Sequence, residues 1–312
     1  MKQNYLVTGG AGFIGSALTK KFIESGCSVT VVDNLSTGFA DSIPEEALFV
    51  KANVYDDFFH LLPKLKYDAI FHIAGQSSGE ISFEDPIYDI RTNAESTLRL
   101  MQFAIKNNCP KFIYASTMSV YGEQNILPAN ETAIPNPISF YAIGKLASEQ
   151  YMRVFSNKYN LKTCALRLFN VYGPGQNLLN LKQGMISIFL SYLLKNEPIL
   201  VKGDLNRFRD FVYIDDVTSA FFLSLQNEQP FDIYNVCSGK KVTIDEMLKL
   251  LIHEFGNAGK TPSVISKGNT PGDQFGIFGD YTKINKQFLW TPQTSLKDGL
   301  SKMIYWAKNK IN

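Results

Sequence analysis

Tyr141 and Lys145 stand four residues apart in the run Ser139-Phe140-Tyr141-Ala142-Ile143-Gly144-Lys145-Leu146-Ala147-Ser148-Glu149. On a helix that spacing sets the phenol and the ammonium on one face, about one turn from each other. This is the arrangement of a base and the cation that tunes it. A free phenol, with a pKa near ~10, is a poor base at neutrality. Lowering it by roughly three units takes about 4 kcal/mol of differential stabilisation, which a neighbouring ammonium and a second positive group can supply. The same spacing also describes a half-buried ring and a solvated amine on an ordinary helix, so the pair acquires meaning only from what the chain puts beside it.

The elements that must position such a pair are legible along the chain. Leu6-Val7-Thr8-Gly9-Gly10-Ala11-Gly12-Phe13-Ile14-Gly15 reads as a strand, a glycine turn and a helix whose apolar residues Phe13, Ile14, Ala17, Leu18 and Phe22 fall at helical spacing. Glycines at 9, 12 and 15 let the backbone turn tightly, approach a pyrophosphate and pack the helix on the sheet, while the helix N-terminus attracts negative charge. A second strand-like run, Val29 to Val32, ends at Asp33. A carboxylate there can accept hydrogen bonds from an adenosine ribose and repels a 2′-phosphate. No arginine follows in Asn34-Leu35-Ser36-Thr37-Gly38, which favours NAD over NADP.

Strand and helix runs then alternate through Leu48–Val50, Ala69–Ile73, a helix over Thr92–Asn107, Lys111–Ala115 and Thr163–Leu168. That alternation predicts an α/β fold with a doubly wound parallel sheet, whose ligands sit beyond the carboxyl ends of the strands. Ala74-Gly75 and Ser116-Thr117 lie at two such ends. After Gly175 the pattern becomes mixed, with a helix over Met185–Lys195, a strand at Ile199–Val201 and a capping box at Thr243-Ile244-Asp245-Glu246 ahead of an apolar helix face stopped by Gly256.

Composition bounds the function. The 312 residues, 45% hydrophobic, suffice for one large or two modest domains, and a net charge of +2 supplies no field for nucleic acid or an anionic membrane. The longest apolar runs, Phe189–Leu194 and Ala220–Leu225, fall far below the roughly 18 residues of a bilayer span. The strand-like start at Met1 to Val7 has no leader pattern, so a cytoplasmic protein is expected. Cys27, Cys109, Cys164 and Cys237 are scattered and read as buried reduced thiols. His60, His72 and His253 are isolated, which supports neither a metal site nor a Ser-His-Asp triad.

Thr8 to Gly15, Asp33, Ser116-Thr117 with Val120-Tyr121-Gly122, Tyr141-x-x-x-Lys145 and Phe169 to Pro174 occur in that order. Together they resemble the extended short-chain dehydrogenase/reductase family, in particular its NAD-dependent nucleotide-sugar epimerases and dehydratases of the UDP-glucose 4-epimerase type. The likeness continues through Arg209 to Val217, Pro271-Gly272-Asp273 and Leu289-Trp290-x-Pro292. It implies a Rossmann-type domain over residues 1–172 that also receives parts of 206–236, a smaller mixed α/β substrate-binding domain mainly over 173–312, and a homodimer joined through the helices near Thr92 and Tyr141. Carried over position by position, it implies that NAD meets Gly9, Gly12, Phe13, Ile14, Gly15, Asp33, Asn34, Ser36, Gly38, Asn53, Val54, Ala74, Gly75, Asn93, Ser116, Tyr141, Lys145 and Phe169. A nucleotide-diphosphate sugar, with UDP as the expected nucleotide, would meet Gln76, Thr117, Tyr141, Asn170, Arg209 and Asp273. Arg209 suits a diphosphate because a guanidinium donates paired hydrogen bonds; its bland alternative is an ion pair with Asp210 or Asp215.

Within the family, 4-epimerases use tyrosine to take the proton of the sugar 4-hydroxyl during transient oxidation at C4. The implied roles are Tyr141 as base, Lys145 as its tuner and ribose ligand, and Thr117 as partner of the 4-oxygen. Dehydratases need a further acid and base beside the ring and carry Asp-Glu after the threonine. This chain has Met118-Ser119, which also argues against the decarboxylases. A one-way 4-keto reductase is the second enzymatic reading, disfavoured by Asp33 where NADPH is the reductant, and an NAD-sensing scaffold that had lost its chemistry would not be expected to keep Tyr141, Lys145 and Thr117. Three positions depart from the family pattern: Asn53 replaces the aspartate that meets adenine, Thr270 replaces a second diphosphate-binding arginine, and Lys202 replaces a base-stacking aromatic. Lys202 and Lys267 are the candidates for the missing charge, with nothing in the sequence to orient them.

Overall fold

A computed structural model describes residues 2–256 and 262–311. Seven strands make the central sheet: β1 (Asn4–Thr8), β2 (Ser28–Asp33), β3 (Leu48–Lys51), β4 (Ala69–His72), β5 (Lys111–Thr117), β6 (Lys162–Leu168) and β11 (Phe231–Val236). Their order is β11-β6-β5-β4-β1-β2-β3 and every neighbouring pair is parallel. Side chains alternate between two buried faces, as a two-residue strand period requires. Tyr5, Val7, Phe71 and Ile113 point into one core and Leu6, Ile70, Phe112 and Tyr114 into another. The strands are apolar throughout because helices cover both sides.

On the first face α1 (Phe13–Glu24) packs against α7 (Ile214–Ser224), with Phe22 and Phe222 ring centroids 6.1 Å apart. The second face is covered by α4 (Ser96–Lys106) and α5 (Phe140–Tyr159) through Leu100, Met101, Ala104 and Met152. Ahead of α4 lie α2 (Gly79–Glu84) and α3 (Pro86–Ile90), and a π-helical turn over Arg91–Glu95 joins α3 to α4. The helix expected from Thr92 therefore begins earlier, where Asp85 caps the Tyr88 amide and Pro86 opens the first turn.

The remaining strands are short: β7 (Asn170–Tyr172), β8 (Ile199–Val201), β9 (Phe208–Arg209), β10 (Phe211–Tyr213), β12 (Val242–Thr243) and β13 (Val264–Ser266), paired as β10-β7, β12-β9 and β13-β8. With α6 (Met185–Leu194), α8 (Ile244–Phe255) and α10 (Leu296–Ile311) they surround a separate core of Phe189, Leu190, Phe211, Met247, Leu251, Leu300 and Met303. The capping box of α8 forms in full, and Gly256 ends the helix in the left-handed region at φ 71°. The chain returns twice to the first core, through α7 and β11 and again through α9 (Thr282–Phe288) with Trp290, whose indole donates to the Asp216 carbonyl at 3.0 Å. All four cysteines are buried and free. His72 is a core residue held between the Thr8 and Ser96 hydroxyls.

Candidate active site

The carboxyl ends of β1, β2, β4, β5 and β6 open into a cleft of about 390 Å³. Its floor at one end is the glycine turn. Gly9 sits at φ 74°, where a Cβ would stand 2.6 Å from the Ala74 amide nitrogen, and a Cβ on Gly15 would stand 2.0 Å from the Gly9 carbonyl oxygen. No side chain fits between β1, β4 and α1, so the backbone itself forms the wall. Asp33 is buried at the tip of β2, where its two carboxylate oxygens accept from the Ala11 amide at 3.0 Å and the Leu35 amide at 2.7 Å. Asn34 donates to Asn53 at 2.9 Å, and Asn53 turns its own amide to Asp56 at 2.8 Å.

Further along, α5 presents Tyr141 to the cleft. Ser139 caps this helix, its hydroxyl accepting from the Ala142 amide at 3.2 Å, and fixes the phase of the residues that follow. Tyr141 and Lys145 fall on the same buried face, as the spacing predicts. The tuning contact is not made directly. Lys145 donates from Nζ to the Ala115 carbonyl at 2.9 Å and lies 4.7 Å from the Tyr114 ring centroid, against 5.8 Å from that of Tyr141. With the chain's own groups alone, burial pushes the Tyr141 phenol up to about 12, Thr117 lowers it by hydrogen bonding, and the charge of Asp89 raises it. Burial also brings Lys145 down to about 8, against the pull of Asp89.

Two networks hold this end in place. Glu149, one turn past Lys145, receives Arg167 on both oxygens at 2.9 and 2.7 Å and the Ser116 hydroxyl at 2.5 Å, all buried. Ser116 and Arg167 face each other across β5 and β6, so the ion pair ties α5 to the strands that end at Thr117 and Leu168. The second network centres on Asp89 in α3. Its Oδ1 accepts from Gln76 at 2.8 Å and from Asn93 at 3.1 Å, and Asn93, carried on the π turn, also donates to the Gln76 carbonyl at 3.0 Å. Burial raises Asp89 to about 6 despite these donors and the nearby Lys145.

Most of the expected site residues line the cleft together: Gly9, Gly12, Phe13, Ile14, Gly15, Asp33, Asn34, Ser36, Gly38, Val54, Ala74, Gly75, Ser116, Thr117, Tyr141, Lys145, Phe169 and Asn170. Asn53, Gln76, Asn93, Arg209 and Asp273 do not form its wall. Asn53 stands behind Asn34, and Gln76 and Asn93 stand behind Gly75 and Thr92 in the Asp89 network. Arg209 is pinned by the Phe208, Gln274 and Phe275 carbonyls and by Asp273 at 2.5 Å, so neither Asp210 nor Asp215 is its partner. Asp210 instead accepts from Ser238, Gly239 and Gly279. Lys202 is engaged by both oxygens of Glu80, at 2.8 and 2.9 Å.

Residues without a place in the sequence reading also appear. Gln176, Asn177, Asn180 and Gln183 line the cleft from the segment between β7 and α6, and their signal was present as an amide-rich run, Gly175 to Gly184. Asp89 and Arg207 carried no local signal. The site fits a dinucleotide. A backbone cradle excludes Cβ atoms, the Asp33 carboxylate closes β2, and the buried oxygens Asn93 Oδ1, Asn170 Oδ1 and Gln176 Oε1 lack hydrogen-bond partners within the protein. Among the described residues no group of histidine, cysteine and carboxylate could hold a metal ion, and no helix is long and apolar enough to cross a membrane.

Comparison with known proteins agrees with this geometry. The chain is 33% identical over 312 residues to the UDP-glucose 4-epimerase of Mycolicibacterium smegmatis, covering 98% of each. The UDP-glucose 4-epimerase of Thermotoga maritima, solved with UDP-glucose, superposes with a TM-score of 0.93 at 36% identity over 99% of this chain and 100% of that one. The Thermus thermophilus UDP-glucose 4-epimerase, solved with NAD, gives 0.89 at 32% over 98% and 99%. The model of the NAD dependent epimerase/dehydratase family matches residues 5–237, and with a glycine cradle, a carboxylate at the tip of β2 and a tyrosine-lysine helix around one cleft, the chain belongs to that family.

Proposed function

We propose that the protein is an NAD-dependent epimerase that inverts C4 of a nucleotide-diphosphate sugar, with a UDP-sugar as substrate. The carrying observation is the company Tyr141 keeps. Thr117 hydrogen-bonds its phenol, Met118 and Ser119 line the same cleft, and among the described lining residues the one carboxylate is Asp33, already engaged by two backbone amides. Removal and return of a single proton can be managed there; elimination of water, which needs an added acid and base, cannot.

NAD, when bound, supplies a reversible two-electron acceptor for C4 and the second positive charge beside the phenol. Tyr141 takes the proton of the 4-hydroxyl and returns it, Thr117 hydrogen-bonds the 4-oxygen, and Lys145 holds its charge below the phenol. A base raised to about 12 by burial works only while that charge is present, which couples proton removal to oxidation at C4. Thr117 and Ser119 add no group that would abstract a second proton. The first core with its returning segments serves as the dinucleotide-binding part and the second core as the sugar-nucleotide part.

A homodimer is supported by exposed apolar side chains on neighbouring helices, Phe83, Ile87, Ile90, Phe140 and Ile143 on α2, α3 and α5. Light scattering should give twice the chain mass, and a monomer would remove this part of the reading. A cytoplasmic enzyme fits the same function.

The activity is tested by incubating purified protein, without added NAD, with UDP-glucose, UDP-galactose, their N-acetyl and uronic forms, and CDP, GDP and dTDP sugars in heavy water. NMR should reveal a C4 epimer without solvent deuterium. Deuterium at C5 or C6 with loss of water would replace epimerisation by dehydration. Tyr141→Phe should keep NAD and lose about 10³-fold in kcat; unchanged turnover would remove Tyr141 from its role.

A further inference from the structure

Three successive residues at the carboxyl end of β5 are each held by a different turn of α5. Thr117 hydrogen-bonds the Tyr141 phenol, the Ala115 carbonyl accepts from Lys145 Nζ at 2.9 Å, and the Ser116 hydroxyl donates to Glu149 Oε1 at 2.5 Å. Tyr141, Lys145 and Glu149 are spaced four apart and share the buried face of the helix. The first two contacts belong to the reacting pair. The third does not: Ser116 lines the cleft with Ala115, Thr117, Tyr141 and Lys145, whereas Glu149 and its partner Arg167 lie behind that wall.

A carboxylate that is 0% exposed is costly to keep. Arg167 makes the charge tolerable through its two bonds of 2.9 and 2.7 Å from β6. The guanidinium lies 4.6 Å from the centroid of the Tyr121 ring, whose hydroxyl is anchored on Asn235 of β11 at 2.6 Å. Its Nη1 finds no hydrogen-bond partner within the protein, so Arg167 depends on Glu149 as much as Glu149 depends on it. Two apolar side chains of similar volume would fill this space without burying charge. They could not accept the Ser116 hydrogen, and that bond is what the carboxylate adds.

We propose that Glu149 is a positioning residue for proton transfer at the sugar C4: through Ser116 it fixes the end of β5 against α5, and so holds the Thr117 hydroxyl at a set distance from the Tyr141 phenol. The inference rests on the epimerase reading. Ser116 and Thr117 share a planar peptide unit, so pinning the first leaves the second little freedom. A shift of ~1 Å between reacting groups costs up to ~100-fold in rate, while substrate and NAD, bound over many contacts, respond to it weakly.

The test follows C4 epimerisation, NAD content and melting temperature in wild type, Ser116→Ala, Glu149→Leu and the paired variant Glu149→Leu with Arg167→Met. Glu149→Leu strands the Arg167 charge in the interior and should lower the melting temperature. The paired variant, with neither charge, should regain wild-type melting temperature and NAD content yet keep a kcat at least ~10-fold down, with KM within ~2-fold. Recovery of kcat together with stability would make Glu149 half of a structural ion pair and overturn the proposal, as would a rise in KM at unchanged kcat. If the paired variant does not fold, Ser116→Ala decides, since it leaves the ion pair whole. It should lower kcat by at least ~5-fold at constant KM and quicken amide hydrogen exchange in the peptide covering 111–119, with α1 exchanging as in wild type. Wild-type kcat there refutes Glu149, and so does a loss of kcat without faster exchange, because Ser116 would then act on the cofactor directly. Wild type that epimerises no nucleotide sugar refutes the epimerase reading and this role with it; active wild type matched in kcat by both stable variants refutes Glu149 alone.

Discussion

The glycine turn in the cleft and the arginine cluster outside its wall hold charge by opposite means. At the glycine turn the polar groups are backbone amides and one carboxylate, set by residues 9 to 35, and a methyl added at Gly9 or Gly15 would meet backbone atoms. In the arginine cluster the charged groups are long side chains whose partners lie far along the chain, Arg207 and Arg209 on Asp273 and Lys202 on Glu80. A backbone cradle is rigid and reads a shape common to every dinucleotide. Side-chain pairs can be exchanged singly, so a cluster of this kind can change without rebuilding the fold.

The contrast can be broken most severely at the glycine turn. Gly15→Ala should abolish NAD retention and reduce activity by more than ~100-fold, because its Cβ would meet a carbonyl 2.0 Å away with backbone on both sides; absorbance of NAD released from purified protein checks it, and full retention would mean that the turn is less rigid than its packing. An intermediate effect is expected midway, at Asp89, whose folded pKa of about 6 lies above its ordinary 3.8. The stability linked to this group is fully present below about 4 and is lost as pH rises through 6. Asp89→Asn should therefore match wild type in melting temperature at pH 4 and exceed it at pH 8. It should also move the acid limb of the kcat/KM profile to lower pH, because the Asp89 charge raises Tyr141. A difference in melting temperature independent of pH would dismiss the buried charge as its cause. The smallest effect belongs to Lys202→Ala. Its ion pair with Glu80 is half exposed and is worth about 0–1 kcal/mol, so KM should change by less than ~3-fold; a larger rise would return Lys202 to the substrate.

What could be read ahead of the structure follows the same division. The glycine turn, Asp33 and the Ser139-capped helix with Tyr141 and Lys145 are built from neighbours in sequence, where spacing alone fixes geometry. Thr117 and Ser116 were placed by the rule that parallel sheets bind at their carboxyl ends. Asp89 escaped because its meaning depends on a π turn that rotates Asn93 toward Gln76, and no propensity marks such a turn. Arg207 escaped because one arginine in a polar loop looks like any other until Asp273, sixty-six residues on, is brought against it. Where the Lys145 ammonium ends was not legible in the spacing: buried beside β5, it donates to the Ala115 carbonyl.

The late arrival of β11 bears on how the chain is made. Until Phe231–Val236 has left the ribosome, β6 is the open margin of a six-stranded sheet, and its row of unpaired amides and carbonyls lies on the very strand that carries Arg167. Synthesis thus creates an interval in which α5, the helix of Tyr141 and Lys145, is complete while the sheet beneath it is not sealed. Conditions that prolong the interval, such as slow translation between codons 170 and 236, should favour strand pairing between nascent chains over completion of the enzyme.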